Sequence, residues 1–292
     1  MKPAPFQFIA PDTLEEALEA LETYGSDAKL LAGGQSLIPA MNFRLTQPAV
    51  LIDLNRIASL SYITEDPDGL QIGAMTRQRA VERSARVAER LPLLHEAMPH
   101  IAHVQIRNRG TIGGSLAHAD PAAELPVIAL ALDARLHIRS RTGRRTVAAA
   151  DFFQFMFSTD LGPGEILEEI EFPALPERTG WAFEEFARRK GDYALAGVAA
   201  WIRLDDGNVI HSARLVYLNL GVGPVRAVEA ETALAGQTPS PDVFRNAGVS
   251  AAAEVEPLGN VHATPEYQRH LAAVLTERAL ARAAARLNGN PA

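Results

Sequence analysis

Two short segments, in which adjacent glycines follow an apolar run, constrain this chain more than any other feature. The first reads AGGQS, from Ala32 to Ser36, and the second reads TIGGS, from Thr111 to Ser115. Adjacent glycines adopt backbone conformations closed to other residues and remove Cβ atoms from the path of an approaching ligand. Successive amides in such a loop can bind an anion, and a neighbouring hydroxyl can add a donor. One such loop is often only a turn, but two of similar composition favour a ligand with two phosphates.

Common nucleotide-binding and metal-binding patterns are missing from the sequence. Neither glycine segment matches G-x-G-x-x-G or G-x-x-x-x-G-K-[ST], so Rossmann and P-loop interpretations lack support. The chain has no cysteine, which excludes disulfides, iron–sulfur ligation and thiolate zinc sites within it. Its densest histidine group, His95, His100 and His103, is interrupted by Pro99, so we expect no metal site there. A redox centre in this chain would then be an organic cofactor or a His/carboxylate metal.

Charge and hydropathy exclude two further classes of function. The net charge of −7 and the pI near 5.7 argue against a nucleic-acid interface, which needs a basic face. No window approaches the roughly 18 consecutive apolar residues of a membrane helix. The N-terminus lacks the apolar region of a signal peptide. We therefore expect a cytoplasmic protein with no membrane span and no nucleic-acid partner.

The predicted secondary structure changes twice along the chain. Residues 1–57 are predicted to form a β–loop–α–β unit, with the first glycine pair at the carboxyl end of a strand. Residues 58–175 combine strands with a helical region that Pro92 and Pro99 interrupt. Residues 176–292 follow the proline-containing segment PALPERTG; they contain a hairpin that turns at DDGN and two helices rich in Ala, Leu and Arg. We accordingly predict three domains with these boundaries.

Three segments resemble the FAD-binding medium subunit of molybdenum hydroxylases, in the carbon monoxide dehydrogenase and xanthine dehydrogenase family. They are AGGQSLIPAMNFR, RNRGTIGGSLAHADPAAELP and RRKGDYALAGVAA, and the similarity covers nearly the whole chain. The resemblance implies an α+β fold. Its first part is a FAD-binding domain of the vanillyl-alcohol-oxidase/PCMH type with two α/β subdomains. A C-terminal α+β domain with a three-stranded antiparallel sheet, of the CO-dehydrogenase-flavoprotein type, follows it.

The resemblance also implies roles for individual positions. The two glycine loops match the segments that hold the FAD pyrophosphate. Glu124 matches an acid that bonds the ribityl or ribose region, and Asp120 lies in the same motif. Ile166 or Leu167 matches an apolar contact to the flavin or adenine, and Lys190 and Tyr193 match the segment near the isoalloxazine ring. The implied cofactor-binding residues are Ala32, Gly33, Gly34, Gln35, Ser36, Leu37, Thr111, Ile112, Gly113, Gly114, Ser115, Asp120, Glu124, Ile166, Leu167, Lys190 and Tyr193.

By resemblance the chain is an oxidoreductase subunit that works only with partners. A large subunit would hold molybdenum with molybdopterin cytosine dinucleotide, and a small subunit would hold two [2Fe–2S] clusters, in a dimer of heterotrimers. Electrons would pass through the FAD of this chain to a quinone, a cytochrome, NAD or oxygen. The substrate would bind the large subunit and is not encoded here. Two alternatives stay open: a self-contained FAD-dependent oxidoreductase of the same superfamily, and a non-redox nucleotide-binding module.

Overall fold

Four β-sheets and the helices packed on them make up the structure, a computed structural model that describes residues 1–287. Residues 288–292 of the predicted third domain lie outside this part. The strands are β1 (Gln7–Ile9), β2 (Ala28–Leu31), β3 (Val50–Asp53), β4 (Ile63–Asp66), β5 (Gly69–Gly73), β6 (Arg135–Ser140), β7 (Gly143–Ala148), β8 (Phe153–Phe155), β9 (Ser158–Thr159), β10 (Ile166–Pro173), β11 (Thr179–Ala187), β12 (Ala194–Leu204), β13 (Ile210–Leu218) and β14 (Val225–Arg226). The α-helices are α1 (Leu14–Tyr24), α2 (Leu37–Asn42), α3 (Gln78–Arg83), α4 (Ala85–Arg90), α5 (Pro92–Ala97), α6 (Val104–Arg107), α7 (Ile112–His118), α8 (Glu124–Ala131), α9 (Ala149–Phe152), α10 (Val228–Leu234), α11 (Pro241–Glu254) and α12 (Pro265–Leu287).

The N-terminal part contains a parallel sheet in the order β1-β3-β2. Thr13 is the N-cap of helix α1, and its hydroxyl accepts a hydrogen bond from the amide of Glu16 at 3.2 Å. Gly25 is the C-cap of the helix. The buried leucines of α1 pack on the sheet. Strand β2 leads directly into the first glycine loop, and α2 follows the loop. The predicted β–loop–α–β unit is therefore present, with the glycines at the carboxyl end of β2.

The middle part contains an antiparallel sheet in the order β4-β5-β10-β6-β7. The predicted helical region before the second glycine loop is divided into the short helices α3, α4 and α5. Ser84 ends α3 and caps α4, since its hydroxyl accepts from the amide of Val87 at 3.3 Å. Pro92 begins α5, and Pro99 lies in the 3₁₀ turn after it. The second glycine loop and α7 pack between this region and β5, which fixes their position relative to the sheet.

The C-terminal part contains an antiparallel sheet in the order β11-β12-β13-β14, with α11 and α12 packed together beside it. The expectation of three strands was wrong by one. The fourth strand has two residues, Val225 and Arg226, which pair with Tyr217 and Val216 of β13. A strand this short has no periodic pattern to reveal it. None of the helices within residues 1–287 has both the length and the apolar character needed to cross a bilayer.

Hydrogen bonds and ion pairs join the C-terminal sheet to the preceding part. Trp201 Nε1 donates to the carbonyl of Ala131 at 2.8 Å. Arg282 and Arg286 of α12 each place a guanidinium nitrogen 2.7 Å from a carboxylate oxygen of Glu96 in α5. These contacts hold β12 against α8 and α12 against α5. The division of the chain at residues 57 and 175 stays a prediction.

Candidate functional site

The first glycine loop presents backbone donors that the protein itself does not use. Gly34 has a φ of 75°, in the left-handed region that favours glycine. Gln35 Nε2 donates to the carbonyl of Gly33 at 3.1 Å, and the amide of Ile38 donates to the carbonyl of Gly34 at 3.1 Å. Within residues 1–287, the amides of Gly34, Gln35 and Ser36 have no hydrogen-bond acceptor. Three consecutive donors are thus available to an anionic ligand at this loop.

Ser36 adds a hydroxyl to these donors. It occupies the position before α2, but its side chain makes no capping hydrogen bond. Ser36 is exposed, and its hydroxyl is not bonded to the helix that follows it. Its hydroxyl can therefore contact a ligand that lies against the loop, which is the behaviour expected of a phosphate-binding serine.

The second glycine loop differs, because its amides already have protein acceptors. Those of residues 112–115 donate to the carbonyls of Thr76 and Ala74 and to the hydroxyl and carbonyl of Thr111, at 2.8 to 3.2 Å. Thr111 is the N-cap of α7, so its hydroxyl oxygen accepts from the helix and keeps its own proton for donation. We expected both loops to offer amides. Instead, hydroxyls remain at this loop: that of Ser115 is partly exposed, and Thr111 is 2% exposed.

The structure brings the two loops into direct contact through their glycines. A Cβ atom on Gly33 would lie 2.4 Å from the carbonyl oxygen of Arg109, just before the second loop. A Cβ atom on Gly114 would lie 2.6 Å from Oγ1 of Thr111 and 3.1 Å from Cβ of Ala32 in the first loop. We expected the missing Cβ atoms to clear the path of a ligand. At these positions they clear space for the other loop, so the glycines first serve to bring the two loops together.

Two side chains that sequence analysis did not single out connect these loops. Asn55 Nδ2 donates to the carbonyl of Ala32 at 2.9 Å. Arg77 Nη2 donates to Asn55 Oδ1 at 2.5 Å, and its Nη1 donates to the carbonyl of Arg109. The backbone of Arg77 also forms an isolated antiparallel bridge with Thr111. Both residues follow the end of a strand, β3 for Asn55 and β5 for Arg77, which is the one sequence signal they carry.

Acidic side chains gather between the end of the second motif and the C-terminal sheet. Glu124 begins α8, where burial, reinforced by the charge of Asp120, raises the pKa of its carboxyl to about 7. Burial, with a contribution from Glu124, raises the pKa of Glu185 on β11 to about 8. Glu185 Oε2 has no hydrogen-bond partner within residues 1–287 and lies 3.8 Å from Nδ1 of His100. The pKa of each carboxyl thus lies close to or above neutral pH, so the protonated form, which can donate as well as accept, is populated there.

Asp120 and Tyr193 line the same cavity, which has a volume of about 330 Å³. Arg188 and His262 line another part of it, with Arg188 Nη1 3.0 Å from the His262 ring nitrogens. Tyr193 is 70% exposed, so its ring is accessible from this cavity. Lys190 lies in the exposed turn just before Tyr193. The structure thus brings the segment 188–193 next to the residues that follow the second glycine loop.

The two predicted apolar contacts lie in the protein core. Ile166 and Leu167 are neighbours on β10 and are 1% and 5% exposed. Ile166 packs in the apolar cluster of the N-terminal part, and Leu167 packs in the cluster that contains Ile112 and Leu116 of α7. Their contact with a cofactor stays a prediction. Their packing supports the N-terminal and middle parts of the chain, which carry the two glycine loops.

Comparisons with known proteins cover nearly the whole chain. Residues 4–175 match the family described as the FAD binding domain in molybdopterin dehydrogenase. Residues 181–283 match the CO dehydrogenase flavoprotein C-terminal domain. The two matches are consecutive, so the glycine loops and the acidic side chains before α8 fall in the first of them, and Glu185 and Tyr193 fall in the second.

Individual relatives match over almost their full length. The 6-hydroxypseudooxynicotine dehydrogenase complex subunit alpha of Paenarthrobacter nicotinovorans is 42% identical over 283 residues, covering 97% of this chain and 96% of the relative. The carbon monoxide dehydrogenase medium chain of Hydrogenophaga pseudoflava is 40% identical over 286 residues, covering 98% and 99%. Carbon monoxide dehydrogenase from that organism, solved in a form lacking the Mo-pyranopterin moiety of its cofactor, contains a chain that superposes with a TM-score of 0.95, at 40% identity and 98% and 99% coverage.

Proposed function

Since the chain belongs to the family of FAD-binding domains of molybdopterin dehydrogenases, we propose that it is the electron-transferring FAD subunit of a molybdenum hydroxylase. It receives electrons from [2Fe–2S] clusters of a small subunit and delivers them to an external acceptor. FAD, when bound, supplies the capacity to take up and release these electrons. The observation that carries the proposal is the pair of glycine loops, in contact with each other, in a chain that its relatives match from end to end.

The available donors fit the diphosphate of FAD. In the first loop, residues 32–37 include three amides without a protein acceptor and the hydroxyl of Ser36. In the second loop, residues 111–115 contribute the hydroxyls of Thr111 and Ser115. A diphosphate offers several acceptor oxygens on two neighbouring phosphorus atoms, which suits one loop of amides and a second of hydroxyls. This chain would therefore bind and orient the cofactor through fixed backbone groups.

The remaining predicted positions surround the other parts of the cofactor in our proposal. Glu124, whose pKa burial raises to about 7, would hydrogen-bond the ribityl or ribose hydroxyls, and Asp120 would lie beside it. Tyr193 and Lys190 would adjoin the isoalloxazine ring, where the exposed tyrosine would exclude water from one side. Ile166 and Leu167 would provide the apolar support below the flavin or the adenine.

The proposed partners follow from what this chain lacks and from the names of its relatives. The chain has no cysteine and so cannot supply thiolate ligands to an iron–sulfur cluster. Its relatives are named as a subunit of a dehydrogenase complex and as a medium chain. We propose a large subunit with molybdopterin cytosine dinucleotide, a small subunit with two [2Fe–2S] clusters, and a dimer of heterotrimers in the cytoplasm.

Cofactor content and reduction test this function. The purified full chain should bind one FAD, should release all of it on acid denaturation, and should be reduced by dithionite. An organic substrate should reduce it only when the molybdenum and iron–sulfur subunits are present. Protein that stays colourless after incubation with FAD would refute the proposal. Rapid reduction of the isolated chain by a small organic substrate would favour a self-contained flavoenzyme instead.

A further inference from the structure

We propose that Asn55 and Arg77 are positioning residues for the FAD diphosphate. They fix the first glycine loop relative to the second, and Arg77 supplies positive charge behind both. This inference rests on the proposed function, because it takes the two loops to be the diphosphate site. Both residues act on the cofactor through the loops, without a direct contact being required.

Asn55 sets the direction of an amide in the first loop. Asn55 Nδ2 donates to the carbonyl of Ala32 at 2.9 Å. In a planar trans peptide the carbonyl and the following N–H point to opposite sides, so this bond turns the amide of Gly33 away from Asn55. On the next peptide, the 3.1 Å bond from Gln35 Nε2 to the carbonyl of Gly33 similarly turns the amide of Gly34 away from Gln35. Asn55 therefore fixes the orientation of the peptide with which the loop begins.

Arg77 sets the distance between the two loops. Arg77 donates through Nη2 to Asn55 Oδ1 at 2.5 Å and through Nη1 to the carbonyl of Arg109. The planar guanidinium thereby connects Asn55, which supports the first loop, to Arg109, two residues before the second loop begins at Thr111. Asn55 is itself held in place, because its backbone N–H donates to Asp53 Oδ1 at 3.1 Å. Hydrogen bonds thus connect Asp53 to Arg109 through Asn55 and Arg77.

Arg77 also places its positive charge close to that of Arg109. Arg77 is partly buried, and burial, together with the charge of Arg109, lowers the pKa of its guanidinium, while Asp53 acts in the opposite direction. Two cations and one carboxylate behind the loops leave a net positive potential there. A bound diphosphate would relieve the repulsion between the two guanidinium groups. The arrangement is therefore better satisfied with an anion in the loops than without one.

The test compares FAD affinity across five full-length proteins: wild type, Arg77→Gln, Arg77→Lys, Asn55→Ala and a control, Arg56→Gln. Loss of a charge-assisted contact should raise the Kd for FAD about tenfold in Arg77→Gln. Arg77→Lys should recover part of this loss, because it keeps the charge but cannot span both acceptors. The matched control is Arg56→Gln, which removes the same charge next to Asn55 from an exposed side chain paired with Asp12 at 3.5 Å. It should bind FAD as the wild type does.

A second measurement separates positioning of the diphosphate from a general loss of structure. ADP and adenosine should be compared as competitors of FAD, since only ADP carries the diphosphate. Arg77→Gln should weaken ADP about tenfold and leave adenosine unchanged. Equal FAD affinity in all variants would overturn the inference, and so would equal weakening of ADP and adenosine. A wild-type chain that binds no FAD would instead refute the proposed function itself.

Discussion

Replacing Glu185 by Gln should make the protein more stable at high pH and leave it nearly unchanged at low pH. The pKa of this carboxyl is raised by burial from 4.5 to about 8, so the folded state keeps its proton while the unfolded chain loses it. Stability from this group is fully present below pH 4.5 and is lost as the pH rises towards 8. Between these two pH values the unfolded state binds one proton fewer, so the unfolding free energy falls by about 1.4 kcal/mol per pH unit.

This loss of stability can be measured within a narrow range of pH. From pH 5.5 to pH 7.5 the wild type should lose about 3 kcal/mol of unfolding free energy through Glu185 alone. Glu185→Gln is a neutral isostere at every pH, so the difference between variant and wild type should grow by that amount. Urea unfolding of the apo-protein at three pH values within the window measures it directly, because contributions from groups far from Glu185 largely cancel between the two proteins.

The control variant is Glu82→Gln, which should lower the unfolding free energy where Glu185→Gln raises it. Glu82 pairs with Arg107, with Nε of the arginine 2.8 Å from a carboxylate oxygen, and this bond holds the pKa of Glu82 at about 2. Glu82 is ionised in both the folded and the unfolded state above pH 5.5, so its stabilising effect is lost only in acid. Glu82→Gln should therefore destabilise by an amount that does not change across the window. A difference for Glu185→Gln that is equally constant would refute the assignment of a protonated carboxyl to that site.

Three further predictions concern the glycine loops and electron transfer. Gly113→Ala should destabilise the chain by about 1–3 kcal/mol in urea unfolding, because the new Cβ would lie 2.4 Å from a neighbouring Cβ atom. Gly34 has a φ of 75°, so Gly34→Val should distort the first loop and abolish FAD retention, measured by flavin absorbance. Ser36→Ala should raise the Kd for FAD only about fivefold, because it removes one hydrogen bond. Equal retention of FAD in both variants would show that the first loop is an ordinary turn. In the assembled complex, Tyr193→Phe should change the rate of flavin reoxidation in stopped-flow more than the rate of substrate oxidation. The exposed Tyr267→Phe should change neither.

The sequence predicted those parts of the fold that carry a repeating local pattern. The α+β class and the order of a FAD-binding domain followed by a C-terminal domain are confirmed by the family matches. The hairpin at DDGN is present, with β12 ending at Leu204 and β13 beginning at Ile210. The extra strand β14 was missed because two residues define no period. Strand β11 was also not singled out. Its buried residues do not alternate, because α12 packs on it and Phe183 belongs to the cluster on its other side.

The candidate site was predictable in position and only partly in chemistry. The glycine pairs mark where two loops meet, and the structure brings them together. Asn55 and Arg77 escaped detection because their significance comes from contacts 23 and 32 residues away in the chain, with Ala32 and Arg109. Glu185 escaped for a similar reason: a glutamate on a strand looks solvated until the opposing domain covers it. No local pattern encodes such contacts.

The two glycine loops also show why similar composition does not give similar chemistry. In TIGGS a threonine precedes the glycines, and Thr111 Oγ1 can reach the amide three residues later, that of Gly114, at 3.0 Å. In AGGQS the only hydroxyl, that of Ser36, follows the glycines and makes no capping bond. The amides of Gly34 and Gln35 have no partner within residues 1–287. In TIGGS the carbonyls of Thr76 and Ala74 also accept from the amides of Ile112 and Gly113. The capping threonine and the neighbouring backbone thus act together to leave side chains for a ligand at this loop, whereas AGGQS presents amides.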